Sequence, residues 1–248
     1  LVDARTNKSL WGEQYERKLS ELLTTQREIV TEIVGKLQLK LSGESEQKLA
    51  KKYTDNNEAY QLYLQGRYHW NKRQIPEFEK AIVFFKQAIE KDPNYALAYS
   101  GLADTYGLFP RYGDFRPKEY MPQAKAAALK ALELDPNLAE AHTSLAQIEL
   151  FYEYDFTGAE KSFKRAIELD PNYATARQWY GLLLIYIGKN DESVREAKKA
   201  FELDPFSLRI NSDLFSSLAN ANRFDEALLQ NKKLNELFPN EGRFHQGN

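Results

Sequence analysis

From Asn57 onward, apolar residues recur three and four positions apart in successive blocks, the spacing of a buried helix face, and a proline closes each block. The prolines are Pro93, Pro136, Pro171, Pro205 and Pro239, at intervals of 43, 35, 34 and 34 residues, in the related phrases EKDPNYALAY, ELDPNLAEAH, ELDPNYATAR, ELDPFSLRIN and ELFPNEG. A residue before proline is pushed out of the α region, so helices reaching Leu134, Leu169 and Leu203 must end there. Each proline is then expected to open the next helix, where its missing donor costs nothing. A period near 34 residues is that of a stacked helix-turn-helix repeat.

Two small positions recur with the prolines. Twelve residues before them stand Ala81, Ala124, Ala159, Ser193 and Ala227; five before them stand Ala88, Ala131, Ala166, Ala200 and Leu234. Small side chains there let paired helices approach closely, while Phe84 or Phe85, Phe163 and Phe201 fill the adjoining space. The pattern resembles the tetratricopeptide repeat (TPR) family over about residues 57–239. The third repeat carries it most fully, with Leu145, Ala146, Ala159, Phe163, Ala166 and Pro171; others depart from it, with Ala128 and Ala197 in the aromatic place, Ser193 for the first alanine, and Asn231 and Leu234 late in the array. The resemblance implies an all-α fold, a right-handed superhelix of tandem antiparallel helix pairs whose first helices line a concave face.

The amino-terminal region has another pattern. Leu1 to Ala4 and Leu10 to Tyr15 read as a small β-hairpin about the turn-rich Arg5 to Ser9, and Leu22, Ile29, Val30, Ile33, Val34, Leu37 and Leu41 define an amphipathic helix of about six turns. This run resembles the end of a TolB-like domain, as found before repeat arrays in multidomain bacterial regulators. The expected organisation is therefore residues 1–41 as a TolB-like remnant, 42–56 as a linker, 57–239 as five TPR-like repeats, and 240–248 as the start of a further helix or tail. A chain beginning in mid-strand reads as a piece of a longer protein, and its open strand edges invite self-association.

The 43-residue interval exceeds the period by nine, and the surplus falls between Tyr106 and Ala124, in GLFPRYGDFRPKEYMPQ. Its three prolines and two glycines predict a loop through most of the segment. That loop either folds Phe109, Tyr112, Phe115 and Tyr120 onto the array or serves as a partner-binding lip.

Composition narrows the function. With 34 basic and 36 acidic residues there is no basic footprint, so no nucleic-acid partner is expected. The longest largely apolar run, Trp179 to Ile187, falls short of the roughly 20 residues that span a bilayer. Absent cysteine removes thiolate chemistry, His69, His142 and His245 are dispersed, and no Gly-x-Ser-x-Gly elbow occurs; no cofactor, metal or enzymatic activity is expected. Glu133, Asp135, Glu168, Asp170, Glu202 and Asp204 recur with the repeat and read as solvated helix ends. Either side of a bacterial membrane fits this composition.

The function expected is a protein-protein interaction scaffold that holds a peptide or partner helix in its concave groove. Carried over from the family, groove positions fall on Ser100 and Asp104, on Thr143, Gln147 and Leu150, on Gln178, Leu182 and Ile185, and on Arg209, Ser212, Ser216 and Ala219, with Phe151, Tyr186 and Asn220 one residue beyond the last groove place in repeats three to five. This face mixes hydrogen-bonding groups with aromatics and carries no lysine, which suits an extended peptide or helix. The alternatives are a regulatory or sensing module of a larger bacterial kinase, cyclase or transcriptional regulator, and a self-association module.

Overall fold

A computed structural model describes residues 2–3, 8–9, 22–36 and 53–239. Helix α1 (Leu22–Lys36) precedes five helix pairs: α2 (Asn57–Asn71) with α3 (Ile75–Lys91), α4 (Ala96–Tyr112) with α5 (Pro117–Leu134), α6 (Ala139–Ile148) with α7 (Phe156–Leu169), α8 (Ala174–Tyr186) with α9 (Asn190–Leu203), and α10 (Leu208–Asn220) with α11 (Phe224–Leu237). Strands β1 (Val2–Asp3) and β2 (Lys8–Ser9) pair antiparallel, so β2 falls in the stretch read as a turn. The strand expected over residues 10–15, the turns of α1 beyond Lys36, most of the 42–56 linker and the 240–248 tail lie outside the described residues.

The proline phrases fold into one recurring corner. The N–H of Asp92, Asp135 and Asp170 donates to the carbonyl of Ala88, Ala131 and Ala166 at 2.9 Å, closing the helix. Their carboxylates accept the N–H of Asn94, Asn137 and Asn172 at 3.0, 3.1 and 3.0 Å. The N–H of Tyr95, Leu138 and Tyr173 then returns to the same aspartates' carbonyls. Proline thus occupies the second position of a β-turn, which its fixed φ suits, and the next helix starts three residues later rather than at the proline. Asp92, Asp135 and Asp170 are turn formers as well as solvated charges.

Close helix approach governs the packing. All ten recurring small or leucine positions are buried, from Ala81 and Ala88 to Ala227 and Leu234. The aromatic wedge of the first repeat is Phe85, fully buried, whereas Phe84 is half-buried. Its ring fits between Gly66 of α2 and Gly101 of α4, where an added Cβ would stand 2.5 Å from the ring in either case. That contact fixes the register of the first pair.

The insert is mostly helical, contrary to the expected loop. Helix α4 runs through Pro110 to Tyr112, α5 begins at Pro117 and runs through Pro122, and only residues 113–116 connect them. Phe109 stacks on Tyr120 with centroids 4.7 Å apart, Phe115 meets both edge-on, and Phe78 contacts Phe109 and Tyr112. Five aromatic pairs at about 0.5–1.5 kcal/mol each are collectively comparable with the roughly 6 kcal/mol cost of the two interior prolines, Pro110 and Pro122. Ring packing therefore carries the helices through sequence that local propensity would break.

Two expectations follow. Ala166→Leu should lower stability by about 1–3 kcal/mol through overpacking against Ala139 and Ala176, seen as a reduced denaturation midpoint; an unchanged midpoint would place Ala166 away from a close contact. Glu77 accepts from Lys72, Lys80 and His69 at 2.8, 2.6 and 2.7 Å, and these hydrogen bonds hold its carboxyl down at about 2, against 4.5 ordinarily. A depressed folded value contributes stability above about 4.5 that is lost as pH falls through about 2. Acid unfolding of Glu77→Gln should accordingly show a shallower loss of stability over that window than wild type.

Candidate functional site

The first helices of successive pairs, α2, α4, α6, α8 and α10, lie side by side and form one wall. A ladder of polar side chains runs across it. Arg67 on α2 donates to Asp104 on α4 at 3.1 Å, and Ser144 on α6 donates to Asp104 at 2.5 Å while its oxygen lies 3.1 Å from Ser100 Oγ. Further along, Gln178 on α8 donates to Asp213 on α10 at 2.6 Å. Burial pushes the carboxyls of Asp104, Glu140 and Asp213 up, opposed at Asp104 by the Arg67 guanidinium and the Ser144 hydroxyl, and at Asp213 by Gln178.

An aromatic and cationic group stands beside the ladder. The helix after Ile148 widens into a π-turn, Glu149–Glu153, ended by Tyr154 with φ of 56°. The widened turn buries Leu150 in the core, while Phe151 meets Trp179 and Tyr186 edge-on at 5.8 and 6.0 Å. Arg111 stacks over Phe151 at 4.0 Å and over Trp179 at 5.0 Å. It makes no ion pair among the described residues, and burial lowers its pKa. Tyr186 is 62% exposed, and Gln147 Nε2 and Trp179 Nε1 are buried without a hydrogen-bond partner.

The structure divides the expected groove residues. Ser100, Asp104, Thr143, Gln147, Gln178 and Ser212 are buried, and all but Gln147 are hydrogen-bonded within the chain; Thr143 and Ser212 donate to the carbonyls of Ala139 and Leu208, one turn back. The inner helices approach so closely that these groups satisfy one another or their own helix, and their polarity serves the wall itself. Phe151, Leu182, Arg209 and Ser216 are half-buried, and Tyr186 and Asn220 are exposed, with Asn220 donating to the Ser216 carbonyl. Phe151 and Tyr186 are brought together; Asn220 is not part of their group.

Several residues that sequence reasoning passed over join the site. Arg111 lay in the segment read as a loop, Trp179 in an apolar run, and Arg67 and Asp213 among ordinary charges. The signal available was their place on or just after a first helix, since a charge facing a neighbouring repeat needs a partner or a purpose.

No family model matches the chain. Over 144 residues it is 28% identical to the transcriptional regulator HilA of Salmonella typhimurium, covering 58% of this chain and 26% of that protein. Over 147 residues it is 29% identical to the protein O-mannosyl-transferase TMTC3 of Mus musculus, covering 57% of this chain and 16% of that one. The chain therefore spans about a quarter or less of the length of these curated relatives. Among solved structures, TTC0263, a thermophilic TPR protein of Thermus thermophilus, superposes with a TM-score of 0.59 at 20% identity, over 74% of this chain and 93% of that one. The chain has a TPR-like helical-repeat fold.

The ladder makes a direct prediction. Asp104→Ala leaves the part-buried Arg67 guanidinium without its carboxylate and should cost about 2–3 kcal/mol, below the full penalty of stranding a buried charge, read from chemical denaturation. A loss below about 1 kcal/mol, the range of exposed pairs, would mean that water reaches Arg67 freely.

Proposed function

We propose that this chain is a protein-interaction scaffold that holds an extended peptide or a partner helix against the inner wall at Arg111, Phe151, Trp179 and Tyr186. The observation that carries this reading is an exposed tyrosine and an arginine with no counterion among the described residues, built onto one aromatic group on a wall whose other polar groups are mostly satisfied. Aromatic anchors flanked by an arginine are the composition of binding hot spots. No step of chemistry is assigned to the chain, which acts by binding.

A second reading concerns the protein as a whole. The match to about a quarter of a transcriptional regulator supports an array that serves as the regulatory or sensing module of a larger bacterial regulator, converting occupancy of the wall into a change at an attached output domain.

Peptides selected on the wild-type chain from a displayed random library provide the test. Phe151→Ala and Tyr186→Ala should each weaken the selected peptides by about 2 kcal/mol or more, as expected of anchors, whereas substitution of Glu168 on α7 should change little. If correctly folded aromatic variants bind those peptides as wild type does, the wall is not the binding surface.

A further inference from the structure

A cavity of about 880 Å³ opens where the corner between α2 and α3 faces the start of α10. Arg73, Tyr112 and Arg209 line it together with Phe206, Leu208 and Asp204. It joins the first helix pair to the last, and Arg111, Phe151, Trp179 and Tyr186 are not among the residues that line it.

The two arginines are held in place, and among the described residues neither makes an ion pair. Arg73 occupies the corner with φ of 54°, a left-handed conformation that costs a non-glycine residue and persists only where its surroundings enforce it. Lys72 on one side of Arg73 and His69 before it are tied to Glu77, and the Arg73 guanidinium lies 3.4 Å from the Trp70 ring centroid. Arg209 stands over the Tyr112 ring at 5.1 Å. Arg73 Nη1 and Arg209 Nε are buried, and neither has a hydrogen-bond partner. Burial brings the Arg73 pKa down to about 10, Tyr112 and Asp104 oppose the fall and Arg67 and Arg209 add to it, so the cation persists at neutral pH in the field of Asp104 and Asp213 but in contact with neither.

We propose that Arg73 and Arg209 form a receptor for a carboxylate of the bound peptide, so that an occupant is clasped between the first and last helix pairs. Two stacked, pre-oriented guanidinium planes with free donors match the planar geometry of a carboxylate. Asp204 on the same cavity opposes any anion, a dianion about twice as strongly as a single carboxylate, and Phe206 and Leu208 supply apolar surface for the residue beside the carboxylate. A volume near 880 Å³ admits a side chain with its flanking backbone. The proposal rests on the reading of the array as a peptide scaffold, but its test uses neither a selected peptide nor the Phe151 group.

The test follows the Nε–Hε signals of Arg73 and Arg209 in the ¹⁵N-labelled full chain. N-acetyl-aspartyl amide supplies a side-chain carboxylate, N-acetylglycine a chain-terminal one, N-acetyl-asparaginyl amide a neutral isostere, and inorganic phosphate a multivalent anion. At least one carboxylate should shift both signals with a dissociation constant on the order of 1–10 mM, the neutral isostere should not, and the tighter of the two carboxylates identifies the source. Arg73→Gln and Arg209→Gln should each weaken binding about tenfold or more. Both should remain folded, because each loses only a ring contact and neither breaks an ion pair among the described residues. Phe151→Ala should leave these titrations unchanged. Should the glutamine variants unfold, Arg209→Lys keeps the charge and loses the fork, and a weaker carboxylate shift at Arg73 is expected there. The proposal is overturned if neither carboxylate moves these signals at about 50 mM, if the asparaginyl amide moves them equally, or if phosphate binds in preference.

Discussion

Close approach of helices at small residues is the constraint on which this structure depends. Phe85 fits between Gly66 and Gly101 only because neither carries a Cβ, and the buried alanines from Ala81 to Ala200 repeat the same accommodation along the array. Each pair packs chiefly on the next, so the whole is built from nearest-neighbour contacts. One oversized residue at such a contact would shift every repeat beyond it.

The same closeness explains the chemistry of the inner wall. Once α2, α4, α6, α8 and α10 lie side by side, polar residues on their facing surfaces lose water and must find one another. Asp104 resolves this by taking Arg67 and Ser144, and Asp213 by taking Gln178. Arg73, Arg111 and Arg209 share the field of Asp213 but make no ion pair among the described residues; they rest on Trp70, on Phe151 and Trp179, and on Tyr112. Cation-π contact offsets part of their desolvation while leaving donors free, and that distinction separates groups that hold the fold from groups available to an occupant.

The insert and the π-turn bear on function through geometry. The nine surplus residues lengthen α4 and α5, which puts Arg111 and Tyr112 on the inner wall instead of in a solvent loop. The π-turn shifts the register after Ile148, so Leu150 enters the core and Phe151 meets Tyr186. Neither displacement follows from the 34-residue period, because each breaks it.

The sequence by itself determined the repeat. Proline spacing located the corners, the positions twelve and five residues before each proline marked the helix contacts, and the phrase ending at Leu134, Leu169 and Leu203 marked helix ends to the residue. These are local or periodic properties: a backbone restriction, a helical pitch and a side-chain volume. Tertiary structure decided which polar residues are used up inside the wall. Ser100, Thr143 and Gln178 look like binding groups along the chain, and they are buried because neighbouring repeats close over them. It also set Arg73 against Arg209, 136 positions apart in sequence, since the distance between the ends of an array accumulates from the small rotation at every interface and is written in no single repeat.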